Sequence, residues 1–220
     1  SPTNKTIEKE MILMVILDIF RKNPHMIAGT LLFLAGVISI MGIITAEAFY
    51  PSGYTTSNSE ISDLGATRPP NSIIMQPSAT IFNSTMIVTG IMVLIGAYCI
   101  FLAYRKLLFN IPFALFGLGV LCVGLFPGNV EVLHPLSALI TFIFGGIAAI
   151  TSSKILDSPF RYISICFGII ALICLFFANF FIPILGDGGT ERWIAYPIVM
   201  WLTGLGGYLL GTKSSIIKKM

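Results

Sequence analysis

The chain reads as an all-α integral membrane protein: a six-helix bundle preceded by an amphipathic helix lying at the membrane interface, with both termini cytoplasmic. Three observations predict this. The 220 residues are 55% hydrophobic and 10% charged, and the mean hydropathy is +0.91. A soluble chain must cover its core with polar surface, and ten acids with thirteen bases do not suffice. Several uncharged runs also reach the roughly 20 residues that a helix needs to cross hydrocarbon. Finally, the charges between those runs sort by side.

The elements are taken in chain order. The segment TIEKEMILMVILDIFRKN (6–23) holds an apolar run, Met11 to Leu17, too short to cross and bracketed by Glu8, Glu10 and Asp18. It is expected to lie in the inner interface. No small-residue cleavage site comes after it, so a cleaved signal peptide is not expected. KNPH (Lys22 to His25) breaks the chain before the first span, because proline disfavours helix in the residue before it. Uncharged or nearly uncharged runs then place spans at 27–49, 80–104, 107–126, 134–153, 162–185 and 192–212. The chain divides into a cytoplasmic N-terminus with the interfacial helix (1–24), a membrane domain (25–212) and a cytoplasmic tail (213–220). YRK and SSKILDSPFRY are short inner connections. The outer connection, 50–79, is about thirty residues, a length that is uncommon without a role.

Six spans put both termini on one side. Lys5, Lys9, Arg21, Lys22, Arg105, Lys106, Lys154, Arg161, Lys213, Lys218 and Lys219 fall there, against Arg68 and Arg192 opposite. The positive-inside rule makes that side cytoplasmic. The expected location is the plasma membrane. The four cysteines lie in apolar runs without a CxxC pair, which reads as buried or lipid-facing packing. No Asp, Glu, Lys or Arg stands mid-span, which argues against ion-coupled transport and voltage sensing. Neither histidine is placed to ligate a haem within the bundle, and nothing indicates nucleic-acid binding. Asn110 and Asn179 are expected to hydrogen-bond between helices, and His25 to be exposed at the inner boundary. Gly207 and Gly211 form a GxxxG that serves either packing within the bundle or a dimer face.

Polar groups gather on the outer side, each at the mouth of a helix. Glu47 ends the first span. Asp63 and Arg68 belong to the long loop, in EISDLGATRPP. Glu131 and His134 flank the fourth span, in FPGNVEVLHPLSA. Glu191 and Arg192 open the sixth, in GDGGTERW. Asn83, at the outer end of the second span, is expected to face the same vestibule. Ser57 and Glu60 have capping-box spacing and Gly65 suits the residue after a helix, so NSEISDL predicts a short helix with Asp63 in its last turn. The helix dipole disfavours an acid there and at Glu47, so each needs a cation, a proton or a metal. For Asp63 the expected partner is Arg192 first and His134 second. His134 precedes Pro135 at a helix start, where an imidazole could act as a general base. A divalent ion held by His134, Glu47, Asp63 and Glu131 stays open as an alternative, although the scattered spacing is no metal signature.

Taken together, EAFYPSGY…ISDLG, IFNST, GLFPGN…LHPLSA and GGTERW resemble the prokaryotic multi-pass membrane family catalogued as domain of unknown function 998 over about residues 25–212. A more distant similarity is to the Frag/Dram/Sfk six-span group, which is linked to lipid handling. The family carries no established activity. The resemblance implies a fold and the key positions Glu47, Asp63, Gly65, Asn83, Pro127, His134, Glu191 and Arg192.

The expected function is an outward-facing polar vestibule that binds a polar lipid headgroup or small ligand. Arg192, Glu191, Arg68, Asn83 and Glu131 would bind it, while His134, Glu47 and Asp63 would orient it or perform acid–base chemistry. Two alternatives stand beside this: a membrane-embedded hydrolase or transferase using His134 with carboxylates, with or without a metal, and an accessory subunit with a purely structural salt-bridge network. Membrane lipids and a second copy or larger membrane complex are the expected partners. No cofactor is expected beyond the open question of a metal.

Overall fold

The computed structural model describes residues 4–212. The tail expected at 213–220 lies outside the described residues. Within them all regular structure is helical: α1 (Asn4–Lys22), α2 (Pro24–Ala48), α3 (Ser78–Tyr104), α4 (Leu107–Leu125), α5 (Leu133–Thr151), α6 (Phe160–Phe176) and α7 (Ala178–Gly211). Short 3-10 turns occupy Ser62–Leu64 and Ser152–Lys154. Five helices are long and apolar enough to cross a membrane: α2, α3, α4, α5 with its 3-10 extension, and α7.

The fifth expected span is corrected. Residues 162–185 were expected to be one helix, yet α6 stops after 17 residues at Phe176. A second helical piece starts at Ala178 and ends at Gly186, whose φ of 80° and ψ of 170° interrupt α7. Those torsions lie in a region that only glycine adopts freely. A Cβ at Gly186 would also meet the Ser57 carbonyl oxygen at 2.1 Å. The last helix therefore restarts just after Gly186, not at residue 192, and Glu191 and Arg192 sit one turn inside it.

Consecutive helices pack in order from α2 to α7, and α7 closes back on α2. Arg105 and Lys106 alone link α3 to α4, so these two run antiparallel. Apolar side chains gain little by meeting each other instead of lipid, so close backbone approach must supply the contact. At the α2–α7 seam Gly206 does this: a Cβ there would lie 2.2 Å from the Phe33 nitrogen. The GxxxG pair stands one position away and makes no such approach. Gly207 has only the Phe33 ring, at 3.9 Å, and Gly211 has nothing within 4 Å. The expectation that this pair packs inside the bundle is thus replaced by Gly206.

Trp201 packs in the interior, edge-on to Phe109 and Phe113 at 6.5 and 5.8 Å. Its indole N–H donates to Ser152 Oγ at 3.2 Å. Two readings fail. His25 is buried, not exposed. Asn110 makes no interhelical bond, because its Oδ1 is enclosed without a partner.

Gly206→Val should open the α2–α7 seam at about 1–3 kcal/mol, the usual cost of overpacking, while Gly207→Val should be near neutral. Thermal unfolding of the purified protein in detergent checks this contrast.

Candidate functional site

Loop 50–79 folds down onto the start of the last helix, and Arg192 holds it there. This side chain is buried, with 7% of its surface exposed. Its Nη1 donates to three carbonyls: Thr56 at 2.7 Å, Ser59 at 3.1 Å and Gly188 at 3.0 Å. Its Nη2 donates to Tyr54 Oη at 2.6 Å and meets Glu47 Oε2 at 3.4 Å. Glu47 in turn accepts from Thr56 Oγ1 at 2.6 Å, and the Tyr54 hydroxyl donates to the Glu60 carbonyl at 3.0 Å. Burial pushes the Tyr54 phenol up, so it remains a donor. Glu47 at the end of α2 has its cation, as its position at the dipole's negative end requires.

The neighbouring Glu191 secures the same loop with the opposite polarity, for its Oε2 accepts the Ile61 N–H. Gly189 N–H donates to the Ser57 carbonyl at 3.0 Å. The free N–H groups of a helix start and the free carbonyls of a loop thus satisfy one another.

Asp63 is not paired with Arg192 or with His134. The NSEISDL helix reduces to the 3-10 turn Ser62–Leu64, with Asp63 near its beginning. There its Oδ2 accepts the Glu60 N–H at 2.9 Å, the reach-back of a capping box displaced by three residues from the expected Ser57–Glu60 pair. Burial pushes its carboxyl above the usual range, although the Glu60 N–H opposes this. Gly65 has an ordinary φ of −85° and is no left-handed cap. It lies against α3, where a Cβ would meet Asn83 Oδ1 at 2.4 Å. Asn83 therefore faces the loop's underside, its oxygen enclosed and without a hydrogen-bond partner.

His134 stands in a separate place. Its Nδ1 is 2.7 Å from the Phe126 carbonyl, so Nδ1 carries the proton and a neutral ring keeps its Nε2 lone pair free. The turn at Pro127, closed by the Val130 N–H to the Pro127 carbonyl at 2.8 Å, brings Phe126 back over the start of α5. His134 lines a cavity of about 310 Å³ together with Glu60, Ser62, Arg68, Asp187, Thr190 and Glu191, and Phe142, Leu175, Ile182 and Ile194 add an apolar wall. Arg68 reaches Glu60 Oε1 at 2.6 Å from an exposed position. Three carboxylates, one guanidinium and an imidazole thus border one space. Such a space can receive a donor-rich or cationic group beside an anion.

The single expected vestibule is therefore two separate arrangements. Glu47 and Arg192 form the latch. His134, Arg68 and Glu191 border the cavity, and Asp63 holds the loop turn beside it. Glu131 is exposed, outside both. No group of three His, Cys, Asp or Glu side chains converges for a metal among the described residues. The four expected ligands are dispersed: Glu47 is in the latch and Asp63 in the turn. The sequence reading missed Tyr54, Thr56, Ser62 and Asp187, and Glu60 was noted only as a capping residue. An acid at 187 between two glycines was a usable signal. The carbonyls that Arg192 binds carried none, because any residue supplies them.

Fold and site define a multi-pass, all-helical membrane protein with a loop latched over a polar cavity. The family model described as Protein of unknown function (DUF998) matches residues 33–208, and the chain belongs to that family. No curated protein and no solved structure matches it. The more distant similarity to the Frag/Dram/Sfk group is not shown.

Arg192→Ala leaves Glu47 and three carbonyls without their donor. It should cost about 3–5 kcal/mol, the range for breaking a buried pair. Arg68→Ala removes an exposed pair and should cost less than about 1 kcal/mol. Denaturation of the two variants in detergent measures the difference.

The raised carboxyl of Asp63 gives a second expectation. The folded state binds this proton more tightly than the unfolded state, whose value is near 3.8. The group's contribution is thus fully present below that value and lost as pH rises through the raised one. Protease resistance of loop 50–79 should fall as pH rises past the usual carboxylate range and through the raised value of Asp63, and Asp63→Asn should flatten the slope.

Proposed function

We propose that this is a six-span plasma-membrane protein with both termini inside, whose cavity at His134 binds a polar group carrying both a cation and an anion. A lipid headgroup and a small outer-face solute share that chemistry. The charge asymmetry of the connections supports the orientation. The 17 residues of α6 reach about 25 Å, the lower limit for a crossing, and the piece from Ala178 to Gly186 completes the outer end.

One observation carries the reading: a cavity of about 310 Å³ in an apolar protein is bordered by Glu60, Arg68, His134, Asp187 and Glu191. Charged groups beside hydrocarbon are costly, and a site with convergent polar groups on an apolar wall is the usual form of a ligand pocket. Arg68 is exposed and paired with Glu60, and an incoming anion would compete for that guanidinium. The carboxylates of Glu60 and Asp187 suit an ammonium, and His134 Nε2 can accept a hydrogen bond. Arg192 does not border this cavity: its Nη1 and Nη2 are engaged in the latch, and its Nε is enclosed without a hydrogen-bond partner.

The test uses one head in two forms, glycerophosphoethanolamine as the free solute and lysophosphatidylethanolamine as the lipid. At least one should bind saturably to the purified protein. Arg68→Ala and His134→Ala should each weaken it by about ten-fold, the worth of one charge-assisted hydrogen bond, and Glu131→Ala should not. Binding of neither form, or equal binding by all variants, would overturn the reading. For orientation, the four cysteines are replaced by serine. In intact cells an impermeant maleimide should then label Arg68→Cys and spare Lys106→Cys, and the reverse pattern would sink it.

A further inference from the structure

Beneath the polar cavity lies a second space of about 80 Å³ inside the bundle, between α2, α3, α4, α5 and α7. Four residues, Ser62, Ala138, Phe142 and Glu191, border both. The inner space continues downward between Met86, Phe116, Val120, Ala195 and Leu202. Below the Ser62 hydroxyl at the junction, Ser39 bonds Thr89 at 3.0 Å and Thr141 donates to the Ser137 carbonyl at 2.8 Å. It offers almost no polar partner below Glu191, and a water needs two to four. A volume several times that of one water is therefore suited to hydrocarbon.

We infer that the inner space takes the hydrocarbon chain of a membrane lipid whose head occupies the polar cavity. The natural ligand is then a chain-bearing amphiphile, not a small solute. This rests on the head-binding role of the upper cavity and deepens it. The order of the chemistry along the path matches such a molecule. Arg68, Glu60 and Asp187 meet the head at the outer face, Ser62 and Glu191 stand at the junction, and apolar side chains continue beneath. A space of about 80 Å³ is small, so a single-chain amphiphile, or one chain of a two-chain lipid, is the form we infer.

The experiment measures a fluorescent lysophosphatidylethanolamine on the purified protein, with glycerophosphoethanolamine as the competitor lacking the chain. Ala195→Phe and Val199→Phe narrow the inner space without touching the head site. Each should weaken the fluorescent probe by about ten-fold, the equivalent of two methylenes kept out of the protein. Glycerophosphoethanolamine should compete only at far higher concentration. If the filling variants bind as wild type while Arg68→Ala weakens the probe, the chain inference falls and the head site stands. If Arg68→Ala and His134→Ala also bind as wild type, both fall.

A second measurement does not depend on those variants folding. A photoreactive group at the end of the acyl chain should crosslink wild-type protein at Met86, Phe116, Val120 or Leu202. Crosslinks confined to the outward-facing Phe33 and Leu118 would overturn the inference.

Discussion

Arg192 is the group on which the fold of the long loop depends. A buried guanidinium must satisfy its donors or carry a large penalty. Here the solution is to pull a loop of otherwise irregular chain onto it. Four of its five bonds go to the loop and the helix start: the carbonyls of Thr56, Ser59 and Gly188 and the Tyr54 hydroxyl. Only the fifth is an ion pair, to Glu47. The charge thus works mainly as a multiple hydrogen-bond donor, a use for which the planar fork of arginine is suited and lysine is not. Glu191, one position earlier, accepts the Ile61 N–H from the same loop. Adjacent residues of opposite charge secure one segment through its carbonyls and through its N–H.

That latch makes the cavity. Once 54–61 is held against the last helix, Glu60 and Ser62 are carried to the wall that His134 occupies on α5. The polar residues then divide by task. At the latch Glu47 and the two Nη groups of Arg192 are engaged with one another and the loop, whereas at the cavity Arg68 pairs with Glu60 and His134 keeps its Nε2 open. Glu191 belongs to both groups, accepting from the loop while standing at the junction of the two spaces. The proposed ligand site and the fold of the loop therefore share a residue, and closure and occupancy act on the same carboxylate.

The interrupted run from Phe177 to Gly186 has a comparable consequence. Had 162–185 continued as one helix, Ala178 and Ile182 would lie along α6. Instead they turn over the cavity and form part of its wall. The break at Phe177 has no glycine or proline to mark it. The second break does, since Gly186 adopts a conformation costly for any other residue.

By itself the sequence determined the consequences of transfer to hydrocarbon: that the protein is helical, and which runs are apolar enough to cross. Those are sums over local composition, and they were legible to within a few residues for α2, α3, α4 and α5. The break at KNPH was legible too, from the steric demand of Pro24 on the residue before it. Who pairs with whom was decided by the tertiary structure. Asp63 and Arg192 were both short of a partner on local grounds. Yet Asp63 found a backbone N–H three residues away, and Arg192 found carbonyls that every sequence offers. Backbone acceptors leave no mark in the amino-acid sequence. Close approach likewise chose Gly206 over its neighbour Gly207, because helix rotation, which composition does not encode, sets which glycine faces Phe33.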